Sequence, residues 1–196
     1  MKLAAKELRA SEPGKADIAK IKRRDIYIIC DNILDTYNIG SIFRLADAVG
    51  AKGVYLCGSC QTPPYHRIAK AAVGTEKWVS WKYYKTATLA IKNLKLMHSQ
   101  GLKSKIKNLK VIAIEQHPKA KDFRNVNYEL STTNHKQSFS ANKQVIAFVI
   151  GHETDGVSKE ALALCDEIVE IPMFGVNISL NVMVSLAIVL FNSLKN

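Results

Sequence analysis

Acidic residues are in short supply. The 196-residue chain carries 28 Lys and Arg against 17 Asp and Glu, a formal net charge of +11. That imbalance favours a polyanionic partner, most simply nucleic acid. The alternative is a solvated basic surface in a protein with a neutral partner. No secretory leader is expected: residues 1–10 carry Lys2, Lys6, Glu7 and Arg9 and hold no apolar core. Long apolar runs are missing too. The longest, Val182–Phe191, falls short of the about 20 residues that span a bilayer, and a cytoplasmic location is expected. Cysteine is sparse, and Cys30, Cys57, Cys60 and Cys165 are expected to be reduced. Cys57 and Cys60 form a CxxC, but no second CxxC or CxxH completes four zinc ligands. They read as small core or strand-end residues, and no metal is expected.

The common cofactor fingerprints are absent as well. No GxGxxG follows the first strand, which argues against a conventional dinucleotide site. No GxxxxGK[ST] marks a nucleotide triphosphatase, and no G-x-S-x-G marks a serine hydrolase. The histidines His66, His98, His117, His135 and His152 are scattered without metal-ligand spacing.

What is present alternates. Apolar runs at 25–30, 53–57, 111–114, 145–150 and 167–171 read as strands, with a short one at 78–81. Helical patterns fall at 41–49, 65–72, 87–97, 159–165 and 182–194, with Ser158 as a cap and Leu89, Leu94 and Met97 on an apolar face. Strand–helix alternation predicts an α/β fold with a mainly parallel sheet and helices on both faces. Residues 1–24 read as a basic extension in which Lys20, Lys22, Arg23 and Arg24 are candidate RNA contacts, and residues 25–196 as the main domain. Lys103, Lys105 and Lys107 add charge in a loop, and 119–143 is polar and rich in Ser, Thr and Asn.

Two glycine-containing loops, 151–156 and the one opened by Gly175, follow predicted strands, where open α/β sheets bind ligands. Polar residues gather at the same junctions: Asn38 and Arg44, Glu153, Ser179 and Asn181. Asn38 is placed before the first helix and Arg44 in its first turns. An Arg there can hold a phosphate by a bidentate fork, and a carboxylate such as Glu153 can orient it or an adjacent donor. Each also has a plain structural reading: Asn38 as a turn residue, Ser179 as a cap, Arg44 paired with Asp47.

The blocks NIGSIFRLADAVGAKGVYLCG, VIGHETDGVSKEALALCDEIVEIPMFG and NISLNVMVSLAIVL, in this order, resemble the three motifs of the TrmH (SpoU) family of the SPOUT superfamily. The stretch RIAKAAVGTEKWVSW is similar to family members too, and the likeness runs from Ile28 to Leu194. The resemblance implies S-adenosylmethionine-dependent transfer of a methyl group to an RNA ribose 2′-hydroxyl. It implies a C-terminal deep trefoil knot, a rare exception to unknotted topology, and a homodimer with the 182–194 helix at its interface. Asn38, Arg44, Glu153, Ser179 and Asn181 match catalytic positions. Gly151, Ile171, Met173 and Leu180 match donor-binding positions, with Ile114 as a further wall. Arg44 would touch RNA and activate or position the hydroxyl. An Arg pKa above about 12 makes it an awkward base. The resemblance leaves open tRNA, expected from a minimal domain with a short basic arm, ribosomal RNA, and a non-catalytic knotted RNA-binding or assembly factor. Met183 departs from the pattern, where a Ser is frequent. No substrate-binding domain is expected before the main domain and no extension after it, which leaves target choice open.

Overall fold

The computed structural model describes residues 2–99, 108–128 and 144–194. Lys103, Lys105 and Lys107, and the polar stretch beyond residue 128, lie outside them. Two short helices lead, α1 (Ala5–Ala10) and α2 (Lys15–Lys20). Then come β1 (Arg24–Asp31), α3 (Thr36–Ala48), β2 (Ala51–Cys57) and α4 (His66–Ala72). A 3-10 turn at Thr75–Lys77 precedes β3 (Trp81–Tyr84) and α5 (Ala87–Ser99). After β4 (Asn108–Ile114) follow the two-residue β5 (Lys121–Asp122), a 3-10 turn at Phe123–Asn125, and β6 (Gln144–Ile150). The last elements are α6 (Lys159–Leu162), β7 (Glu167–Glu170) and α7 (Val182–Ser193).

The seven strands form one sheet in the order β3-β2-β1-β6-β4-β7-β5, every pair parallel. Helices cover both faces, so β1 and β6 read as unbroken apolar runs rather than as alternating patterns. Side chains still alternate along each strand. Ile26, Ile28 and Cys30 pack with Ile39 and Phe43 of α3, Ile68 of α4 and Leu186 and Leu190 of α7. Tyr27 and Ile29 point the other way, towards Ile91 and Leu94 of α5 and Ala161 of α6.

Several expectations are corrected. The helix after β1, α3, starts at Thr36, not Ser41, because the Asp35 side chain caps it, accepting from the Tyr37 N–H at 2.8 Å. The strand begins at Trp81 rather than at residue 78, although the Ser80 carbonyl already accepts from the Val54 N–H at 3.0 Å. On α5, Leu89 and Met97 are 48% and 49% exposed, and the buried stripe is Ala87, Ala90, Ile91 and Leu94. That spacing follows the 3.6-residue period.

The N-terminal segment is docked. Lys77 Nζ donates to the Arg9 and Ser11 carbonyls at 3.3 and 3.2 Å and pairs with Glu12. The Trp78 indole donates to Ser11 Oγ at 2.8 Å. Arg23, expected to face RNA, is turned inward: its guanidinium donates to Asp47 at 3.1 Å and to the Trp78 carbonyl at 3.0 Å. Lys20 pairs with Asp17, Arg24 is half-buried at the start of β1, and Lys22 is exposed.

Candidate active site

The carboxyl ends of β1, β6, β4 and β7 meet at one edge of the sheet, and the loops that leave them carry the site. The chain leaves β1 through Asp31, which is 2% exposed. One Asp31 oxygen accepts both the N–H and the hydroxyl of Ser158, at 2.9 and 2.6 Å. Ser158 therefore ties the start of α6 to β1 rather than capping α6 with its side chain, and α6 itself closes at Leu162 instead of running to residue 165. Asn32, with φ at 58°, turns the chain, and its side-chain carbonyl accepts from the Ser59 N–H at 3.0 Å.

The loops after β1 and β6 are joined a second time nearby. Glu153 accepts from the Leu34 N–H at 3.1 Å, the Asp35 N–H at 3.0 Å and Asn38 Nδ2 at 3.0 Å. The other end of the Asn38 amide accepts from Asn181 Nδ2 at 3.0 Å, and Asn181 Oδ1 caps α7 through the Met183 N–H at 2.9 Å. One polar chain thus runs from the loop after β6, through the first turn of α3, to the start of α7. Asn38 lies inside α3, not before it, and is buried. Desolvation raises the Glu153 carboxyl, but the donors from Asn38, Leu34 and Asp35 outweigh it and hold the group below its ordinary value.

Beside this chain lies a cavity of about 490 Å³. Ile114, Gly151, Ile171, Met173 and Leu180 all stand on its wall, as do Glu153, Ser179 and Asn181. Asn38 supports the rim from behind. Glu115 and Gln116, which the sequence reading passed over, also stand on the wall. Glu115 accepts from the Val157 N–H at 2.8 Å, and the Gln116 amide donates to the Ile178 carbonyl. Their only sequence signal was position, directly after β4. Gly151 is obligatory: a Cβ there would lie 2.0–2.2 Å from the backbone of Gly156 and Val157.

Arg44 is set apart. It falls in the third turn of α3, exposed, with no ion-pair partner among the described residues. Asp47, its partner in the plain structural reading, is taken by Arg23. Glu153 does not reach Arg44; it orients Asn38. Ser179 is exposed, its backbone held in a turn by Asn177. The cysteines Cys30, Cys57 and Cys60 are buried, free and packed at the ends of β1 and β2, and burial pushes the Cys60 thiol up to about 11. Among the described residues no group of three or more His, Cys, Asp or Glu side chains converges as a metal cage would require.

The family model described as the SpoU rRNA Methylase family matches residues 25–191. The chain is 30% identical over 174 residues to the tRNA (guanosine(18)-2′-O)-methyltransferase of Escherichia coli K12, covering 88% of this chain and 64% of that protein. It thus spans a little under two thirds of the length of that relative. It is 29% identical over 186 residues to the protein of the same name from Thermus thermophilus, covering 93% and 82%. The AdoMet complex of the SpoU methyltransferase AviRb from Streptomyces viridochromogenes superposes with a TM-score of 0.72 at 23% identity, over 91% of this chain and 64% of that one. At that identity the likeness to a solved structure establishes a shared fold. The family match takes in β1, both glycine-containing loops and most of α7, and the chain belongs to the SpoU rRNA Methylase family.

Proposed function

We propose that this chain transfers a methyl group from S-adenosylmethionine to a ribose 2′-hydroxyl of RNA, with tRNA as the substrate class. The observation that carries the reading is the polar chain Glu153–Asn38–Asn181 along the rim of a cavity of about 490 Å³. That volume suits a nucleoside-sized ligand. Its wall combines apolar side chains from Ile114, Ile171 and Leu180 with the backbone of Gly151, which fits a flat base beside a polar tail. The names of the Escherichia coli and Thermus relatives favour tRNA over ribosomal RNA.

When bound, the donor supplies a methyl carbon already activated by its sulfonium. The protein must hold a ribose oxygen in line with it, which is chiefly a matter of positioning. Asn38 and Asn181 fix the rim. Glu153 accepts three hydrogen bonds and is held below its ordinary pKa, which makes it a strut and a poor proton acceptor. Arg44 is the cation on α3, about 9 Å along the helix axis from Asn38. It is suited to fork a phosphate of the RNA and bring the hydroxyl into line.

The same reading includes a homodimer. Val184, Ile188 and Phe191 form an exposed apolar stripe on α7 at i, i+4 and i+7, and Phe174 and Ile178 of the preceding loop are 91% and 73% exposed. A second copy would cover them. It further includes residues 25–196 as the catalytic unit, a trefoil knot formed as the chain passes from β7 through the 171–181 loop into α7, and action in the cytoplasm. No described helix is long and apolar enough to cross a membrane.

The test is incubation of the purified protein with labelled donor and total RNA from a strain lacking the gene. Label in a tRNA ribose is the expected result. Label confined to ribosomal RNA would change the substrate class, and no label in any RNA would leave an RNA-binding factor.

A further inference from the structure

Helix α4 carries two cations, Arg67 and Lys70, beside two exposed rings. Tyr65, His66, Arg67 and Lys70 are exposed on its outer side, while Ile68 and Ala72 are buried beneath. The rings of Tyr65 and His66 lie 4.9 Å apart. Among the described residues no carboxylate pairs with Arg67, Lys70 or Arg44. The other basic hollow, about 450 Å³ around His117, Lys119, Lys121 and Lys159, is partly neutralised: Asp166 and Glu167 line it, and Lys121 pairs with Glu167.

The α4 face is rigidly mounted next to the site. A Cβ on Gly40 would meet the Ala71 side chain and the Ile68 carbonyl at 2.6 Å, so α3 and α4 touch backbone to backbone. Arg44 is four residues beyond Gly40, one turn along the same flank of α3. The strands step from β1 to β2 to β3 in one direction through parallel crossovers, so α3 and α4 lie on one face and run in the same sense. The Tyr65 end of α4 is therefore at the edge of the sheet that carries Asn38 and Glu153. At the far end α1 rests on the turn after α4, where the Leu8 carbonyl would lie 2.4 Å from a Cβ on Gly74. Its exposed Lys6 and Arg9 extend the charge.

We propose that this α4 face is a docking strip for the RNA flanking the target ribose. Arg67, Lys70 and His66 take backbone phosphates, and Tyr65 offers a ring to an unstacked base. The inference rests on the RNA reading above and adds where, on this chain, the strand is gripped. It also moves the main basic contact surface away from Lys20–Arg24, where Lys20 and Arg23 are engaged by Asp17 and Asp47.

The test uses the full chain and a fluorescent, unmodified tRNA transcript, with binding followed across a salt series. Arg67→Glu with Lys70→Glu should weaken binding at least about tenfold at fixed salt and flatten the log K against log salt slope by about 2. Donor binding, measured by calorimetry, should not change, which also reports that the variant is folded. Arg67→Ala with Lys70→Ala should shift both quantities in the same direction by less, and decides the matter if the reversed pair does not fold. Tyr65→Ala should weaken binding about tenfold with the slope intact, because stacking releases no counterion. Salt-dependent binding by the unaltered chain, with equal affinity and slope in the variants, overturns the inference alone. A change of oligomeric state with unchanged RNA affinity would assign the face to a second copy and overturn it too. Failure of the unaltered chain to bind any transcript overturns the RNA reading itself.

Discussion

The two glycine-containing loops at the sheet edge are built in opposite ways. The loop after β6 is closed on itself: His152 and Gly156 exchange backbone hydrogen bonds at 3.0 and 2.9 Å, and His152 Nδ1 accepts from the Thr154 and Asp155 N–H groups. It is then fastened outward through Glu153 to α3, through Val157 to Glu115 and through Ser158 to Asp31. The loop after β7 is open. Phe174, Val176 and Ile178 face solvent, and a Cβ on Gly175 would meet nothing within 4 Å. Its ties are the Asn177–Ser179 turn and the Gln116 amide. A preorganised wall thus faces one whose apolar side chains still await cover. On the proposed function, catalysis by positioning needs the first to be rigid before substrate arrives, and donor and a second copy would complete the second.

Substituting the two glycines probes this contrast most strongly. Gly151→Ala forces backbone apart at Gly156 and Val157 and should destabilise the protein by about 2–3 kcal/mol, as overpacking does, with loss of donor binding. Gly175→Ala has open space and should change stability by no more than about 0.5 kcal/mol. Urea denaturation of both variants checks the pair, and equal costs would erase the distinction between the loops. Glu153→Gln should have a middling effect. Its amide keeps the acceptor for Asn38 and Asp35 but sets a donor against the Leu34 N–H, costing about 1 kcal/mol at this exposed site.

The smallest effect is on pH dependence. The Glu153 carboxyl is held below its ordinary value in the folded state, so its contribution is present above the unfolded pKa and is lost as pH falls through the lower, folded one. Glu153→Gln should flatten that acid limb. An unchanged limb in acid titrations of stability would mean that the carboxylate adds nothing to the closed loop.

Much of the closed half was legible in the sequence, and less of the open half. Apolar runs such as VIAFVI read as buried parallel strands, and glycines after them marked the loops. The partnerships were not legible. Glu153 meets Asn38 across more than a hundred residues, and nothing local in either segment announces that contact. Asp35 was visible as a polar residue, yet its role as the cap of α3 was hidden by Asn38 and Gly40, which weaken the helical pattern. Arg23 read as one more surface cation because the acceptors that turn it inward, Asp47 and the Trp78 carbonyl, come from distant segments. Leu89 and Met97 misled because apolar character alone does not say which face of α5 is covered; the small Ala87 and Ala90 do.

The bonded chain Glu153–Asn38–Asn181 is the frame of the proposed site, and Arg44 is the group proposed to meet the RNA. Single-turnover methylation of a tRNA transcript by folded Arg44→Ala protein tests this most directly. The rate should fall at least about 100-fold, the low end for loss of an activating side chain. Donor affinity should be unchanged, since Arg44 is not on the cavity wall. Arg44→Lys should not restore the rate, because a point ammonium cannot reproduce a bidentate fork. A near-normal rate in Arg44→Ala would contradict this assignment and remove Arg44 from the mechanism.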